Sequence, residues 1–337
     1  MIRVEYHDDL NIVQGDPALH GLLCPSEAAA PFDRLAWWRA LSEESDILPL
    51  IAAARSGDHL AVLALRRAGR QIEALANWYT FRVCPVISPG ADRLALMTAL
   101  AADLAGQSPH ITLAPLPDED GTATLIEQAF RAAGWAVFRE ACDVNHVLPV
   151  GGRSFAEYLA ARPGALRTTL KRKGGKVTTR IETQFSPESW AAYEAIYAQS
   201  WKPHEGSPAL LRRFAMEEAA AGRMRLGLAF DGDRPVAAQF WTVEGGTAFI
   251  HKLAHTEDSK PLSPGTTLSA ALFEQVIDRD GVSLVDFGTG NDGYKRDWME
   301  AVRPRYRLDM LRPRWPGNWP RISKHVLRRL AGRANHG

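Results

Sequence analysis

The feature that most constrains this chain is a repetition at long range. Gly57-Asp58 recurs as Gly232-Asp233, and Ser88-Pro89-Gly90 recurs as Ser263-Pro264-Gly265, both 175 residues on. Gly69 and Gly245 mark turns between them, 176 apart. Spacing shared across three turn signals points to duplication. The flanking patterns agree. Residues 51–56 and 226–230 are apolar, strand-like runs entering a Gly-Asp turn, and 59–68 and 234–244 follow as second strands. Residues 72–80 and 247–254 read as third strands. Each Ser-Pro-Gly leads into a helix, 94–104 or 268–277, and then into an apolar strand, 110–114 or 283–287. An antiparallel meander, a helix and a strand thus occur twice, which predicts an α+β chain of two tandem domains. Each is a mixed, mainly antiparallel sheet flanked by helices.

The remaining segments complete each copy. The first opens with a helix over 32–45 and closes with a helix over 123–133 and extended chain over 135–150. The second opens with 155–159 and a basic stretch, then a strand over 180–185. Helices over 187–201 and 208–222 follow, each with proline at its start, where a missing N–H costs nothing. A short helix over 293–301 and a strand over 306–311 close it. The expected domains are 1–150, 151–312 and a basic C-terminal tail, 313–337.

At 337 residues, 46% hydrophobic and 23% charged, the chain is globular rather than disordered or collagen-like. No run approaches the roughly 18 apolar residues of a membrane-spanning helix. The start has no signal-peptide pattern. Cys24, Cys84 and Cys142 are dispersed, with no CxxC, as expected of reduced thiols in a cytoplasmic protein. The net charge of +1 hides segregation. Residues 162–180 carry seven basic residues and no acidic one, and 303–333 carry ten against Asp309, leaving −15 elsewhere. Such blocks guide anionic partners or form solvated basic faces.

Familiar catalytic patterns are absent: there is no HExxH, P-loop or G-x-S-x-G. His251 and His255 fall on a predicted strand, where residues four apart sit about 13 Å from each other, so they do not share a metal. Asp286-Phe-Gly288 lacks the other kinase motifs. The Gly288-x-Gly290-x-x-Gly293 match is not followed by a second parallel strand ending in an acid. Ser263-Pro-Gly-Thr-Thr sits between a strand and a helix. There it is either a ready anion site or simply a sound helix entry.

Together these segments resemble a family. Arg234-Pro-Val-Ala, Ser263-Pro-Gly-x-x-Leu and Val285-Asp-Phe-Gly-x-Gly-x-x-x-Tyr294-Lys-x-x-Trp298, with Trp201-Lys202 after a helix, are similar to GNAT-superfamily acyltransferases of the CelD-like and FemAB-like group. The resemblance implies tandem GNAT domains, an acyl-CoA-type or acyl-carrier-protein thioester donor, no metal, and direct transfer to an amine of a peptide, amino sugar or small molecule. The donor would lie between strands 248–254 and 283–287 where they splay apart, with a backbone N–H polarising its carbonyl. Its pyrophosphate would rest on Lys260, Ser263, Gly265, Thr266 and Thr267, and Lys295 would bind phosphate or pair with Asp292 or Asp297. Tyr294 would protonate the leaving thiolate. Asp286, His251 or Glu244 would take the acceptor proton, though Asp286 could equally brace the following loop and His251 fill the core. Trp201, Lys202, Glu244 and Trp298 would face the acceptor. The first copy has no counterpart of Tyr294 and becomes a degenerate partner that shapes the acceptor cleft. Arg167, Lys171, Arg172 and Lys173, next to Gly174-Gly175, are expected on a mobile stretch meeting a donor phosphate, an acidic carrier or tRNA. The alternatives are a FemAB-like aminoacyl-tRNA-dependent transferase and a catalytically dead GNAT scaffold that binds a partner.

Overall fold

The computed structural model describes every residue except Glu27 and 335–337, with backbone only for 329–334. The chain divides into two compact units: Met1–Ser26 with Pro31–Val144 and Pro304–Gly337, and Glu27–Ala30 with Asn145–Arg303.

In the first unit, β1 (Arg3–His7), α1 (Leu10–Gly15), α2 (Pro17–Leu23) and α3 (Leu35–Glu44) precede the meander β2 (Pro49–Ser56), β3 (His59–Ala68) and β4 (Gln71–Ala74). After β5 (Val86–Ile87) come α4 (Arg93–Leu104), β6 (His110–Leu116), α5 (Thr122–Ala132) and β7 (Ala136–Pro149), which leads into the second unit. The strands alternate in direction except where β4 and β6 run parallel, Ile72 opposite Ile111 and Glu73 opposite Thr112. One face carries Ala52, Ala54, Leu63 and Leu65 against Leu96, Leu100, Ile126 and Phe130 of α4 and α5, all buried. The period of 2 in the strands meets the i, i+4 stripe of α4.

The second unit repeats the plan. It opens with α6 (Phe155–Ala160), α7 (Gly164–Lys173), β8 (Thr178–Glu182), α8 (Pro187–Ala198) and α9 (Pro208–Ala220). The meander is β9 (Met224–Asp231), β10 (Arg234–Glu244) and β11 (Thr247–His255), then α10 (Pro264–Glu274) and β12 (Leu284–Thr289). Again one pair is parallel, β11 with β12. Both Ser-Pro-Gly tripeptides lie between the third strand and the helix that follows, as the repeat requires. The short α11 (Lys295–Trp298), β13 (Ala301–Leu311) and α12 (Trp319–Ala334) end the described chain.

Three expectations change. The third strand of the first copy stops at Ala74 instead of reaching residue 80, because Asn77 and Thr80 close a turn: Thr80 N–H donates to Asn77 O at 3.0 Å and Tyr79 N–H to Asn77 Oδ1 at 3.0 Å. The strand at 306–311 does not close the second copy. It pairs antiparallel with β6 of the first unit, Leu311 opposite His110, where Leu308 and Met310 join the core. The equivalent place beside β12 is filled by Asn145–Pro149 of β7, Pro149 opposite Leu284, with Leu148 in the second core. Each unit is thus completed by a strand from the other half of the sequence. Finally, residues 164–173 are a helix, α7, rather than a mobile stretch. Leu166 and Leu170, four apart, turn toward the core and hold it there.

Candidate functional site

The site is built where β11 and β12 part. Their parallel register runs from Thr247 opposite Leu284 to Phe249 opposite Asp286 and stops. Against β10, the register shifts between Phe240–Lys252 and Trp241–Ile250, which makes His251 the extra residue of a β-bulge. A bulge turns its strand and increases the local twist, so the last part of β11 veers from β12 just after Phe249. A thioester can lie in that gap along freed backbone.

At the far end of β11 stands the first turn of α10. Ser263, in the left-handed region at φ 55°, makes no side-chain cap, and Pro264 begins the helix without an N–H. The N–H groups of Gly265 and Thr266 have no partner within the helix by its geometry. A Cβ on Gly265 would stand 3.4 Å from His255 Cδ2. The turn is anchored from beneath: buried Gln239 donates to Gly265 O (3.1 Å) and Ser269 Oγ (2.8 Å) and accepts from Trp241 Nε1 (3.0 Å). From above, Lys173 at the end of α7 donates to Ser263 Oγ at 3.1 Å. Lys173, expected on a mobile stretch that meets a donor phosphate, is instead held by a helix beside another helix N-terminus, a pairing that favours anions. The signal for that helix was the amphipathic spacing of Leu166 and Leu170.

Residues 164–296 match the acetyltransferase (GNAT) domain family. Over that span the chain is similar to GNAT acyltransferases. Its fold is shared, at low identity, with solved structures that cover the whole plan. FemX aligns with TM-score 0.61 and 11% identity over 91% of this chain and 98% of that one. The C-terminal domain of a putative lysylphosphatidylglycerol synthetase from Agrobacterium fabrum gives 0.57, 12%, 90% and 93%. A tandem GNAT protein from the clavulanic acid biosynthesis pathway gives 0.51, 14%, 91% and 98%. No curated protein matches the sequence.

The second unit places the other named residues in three groups. Tyr294 caps α11 and is exposed, its ring edge-on to Phe287 at 5.6 Å. Its phenol is held well above the ordinary range, first by lost solvation and then by the Asp292 carboxylate. Trp201 lies over His255, ring centres 4.5 Å apart, and Lys202 follows it into a cavity of about 600 Å³. That cavity is walled by Trp190, Tyr193, Tyr197 and Leu211 and includes Glu205. Glu205 Oε1 accepts from Lys252 Nζ at 2.9 Å, and Lys252 is the residue after the bulge, so the cavity reaches the splay. Burial, and then the charge of Lys252, push the Lys202 ammonium down to about 8.

A second group sits inside the fold. Asp286 is buried, and its Oδ1 accepts from Asn145 Nδ2 (2.6 Å) and Gly288 N–H (2.7 Å). Lys295 is also buried. It donates to the carbonyls of Thr289 and Gly290, and so binds together the turn that leaves β12. Gly288 and Gly290, at φ 66° and 94°, give that turn conformations other residues resist. Glu244 is buried and accepts from Ala28 N–H at 3.0 Å. Trp298 stacks on Phe273 at 4.8 Å, and its carbonyl accepts from Tyr158 Oη at 2.6 Å. His251 is enclosed by Phe214 and Phe240 with Nε2 2.8 Å from Thr242 Oγ1, and burial pushes it down to about 3. The third group lies at the α10 entry: Lys260, exposed, in the turn before it, and Thr266 and Thr267 in its first turn, where Thr267 N–H donates to Ser263 O at 3.2 Å. Among the described residues no group of His, Cys, Asp and Glu could hold a metal ion.

Proposed function

We propose that this chain transfers an acyl group from a coenzyme A-type or carrier-protein thioester to an amine by direct attack. The observation that carries the reading is the junction of Lys173 with the uncapped first turn of α10 beside the splay of β11 from β12. The pyrophosphate accepts from Gly265 and Thr266 N–H groups and meets Lys173. The pantetheine arm runs along β11 to the bulge, where backbone N–H polarises the thioester carbonyl. The acceptor amine occupies the cavity walled by Trp190, Tyr193 and Tyr197.

Chemistry then needs two proton transfers. The acceptor gives up its proton as its nitrogen bonds the acyl carbon, and the departing sulfur gains one as its bond to that carbon breaks. Of the groups facing the cavity, neutral Lys202 is best matched to the first task, because a base works best with a pKa near the working pH. His251, far too acidic when protonated, is a weak base there. Tyr294 stays protonated and serves as the acid. Asp286 and Lys295 hold the loop that presents it.

Titration calorimetry with coenzyme A, acetyl-CoA and longer acyl-CoAs tests the donor. Binding should weaken about 10-fold or more in Gly265→Val and in Lys173→Ala, with the Lys173 effect shrinking at high salt. Absence of thioester binding, together with acyl transfer from an aminoacyl-tRNA, would replace this donor with the tRNA one.

A further inference from the structure

We propose that the solvent-facing side of α12 is a docking surface for an anionic lipid bilayer. From 313 to 334 the chain has six Lys and Arg residues (Arg314, Arg321, Lys324, Arg328, Arg329 and Arg333) and no acidic residue. One side of the helix is fixed to the first unit. The His325 ring stacks on Phe138 with centres 4.3 Å apart, and Arg321 Nη1 lies 2.5 Å from His110 Nδ1. Ile322, beside them, is half-buried.

The opposite side is apolar and open. Trp319 is 59% exposed, Val326 45% and Leu327 65%, and Trp315 in the turn before the helix is 50% exposed. Positions 319, 326 and 327 are spaced seven and eight apart, so they share one face of the helix. An ordinary surface helix buries such a stripe and wets its charges. Here the stripe faces outward, with exposed Lys324 and Arg328 along its margin. Tryptophan favours the boundary between hydrocarbon and headgroups, and basic side chains favour anionic headgroups.

Charge selects this occupant over a second copy of the chain. Two α12 helices meeting through their apolar stripes would bring Lys324 and Arg328 against the same cations, with no carboxylate in the segment to separate them. Phosphate-bearing headgroups supply the missing counter-charge. Among the described residues no helix is long and apolar enough to cross a membrane, so contact through α12 would be interfacial.

Co-sedimentation of the full chain with vesicles tests this. Vesicles containing about 30% phosphatidylglycerol should bind at least about 10-fold more tightly than pure phosphatidylcholine, and high salt should erode the difference. Val326→Ser with Leu327→Ser should lose about 10-fold in binding while leaving the melting temperature unchanged, since both side chains are exposed. Lys324→Glu with Arg328→Glu should abolish the preference for the anionic lipid. Failure to sediment with anionic vesicles, or binding unaffected by the serine pair, would overturn the proposal. So would a concentration-dependent dimer, seen by light scattering, that the serine pair dissolves. That result would assign the face to a second copy.

Discussion

Tyr294 and Lys202 carry the sharpest consequences at the scale of single residues. If Tyr294 is the acid proposed above, Tyr294→Phe removes that proton and leaves the ring against Phe287, so kcat should fall about 100-fold or more with donor affinity unchanged. Single-turnover kinetics separates the two. As the proposed base, Lys202 would act only when neutral, so kcat/KM should rise with pH and level off above about 8. In Lys202→Gln that limb should vanish, and a surviving limb would exclude Lys202 as the base. Asp286→Asn tests a different role. Its Oδ1 binds Asn145 and Gly288, and loss of a charge-assisted pair costs about 1.5–3 kcal/mol. The variant should therefore unfold at lower urea, with the pH–rate profile of the surviving enzyme unmoved. The sequence showed that Asp286, Lys295 and Tyr294 belong to one segment. It did not show which of them turn inward, because the partner of Asp286 lies 141 residues away on β7.

Elements were more legible than their partners. The Gly-Asp turns and Ser-Pro-Gly entries located both meanders, and β3 and β10 lie over the expected residues. Periodicity does not reveal which strand lies beside which, so a strand expected to close the second copy lies beside β6 of the first. Repetition also concealed a divergence. In the first unit Ser88 is tied to β3, where Leu60 N–H donates to its Oγ at 2.9 Å, and α4 starts only at Arg93. There the Asp92 carboxylate accepts from Ala95 N–H at 3.0 Å and occupies the position an anion would need. The gap beyond β4 is filled as well. Val83 N–H donates to Pro115 O of β6 at 2.8 Å, and Tyr79, Phe81 and Val83 are buried. A chain with one open cleft and one filled cleft should bind a single donor molecule. Calorimetric stoichiometry near one checks this, and a value near two would restore a second working site.

For the whole molecule, segregated charge was readable as a fact but not as a location. The first basic block became α7, which brings Lys173 to the α10 entry, and the second became β13 and α12. Crossed strands set a further condition. Stopping the chain after Arg303 removes the neighbour of β6, including Leu308 and Met310 from the first core. Limited proteolysis of that shortened chain should therefore cut rapidly within 1–144 and spare 145–303. Equal resistance of the two would show that β13 is dispensable. The same topology fixes an order of events during synthesis. Every strand named above in the second unit, including its loan from β7, has been synthesised by Thr289, whereas β6 waits for its second neighbour nearly 200 residues downstream. The half of the chain that is made first is the last to mature, and in the interval β6 presents an open edge of the kind that invites aggregation.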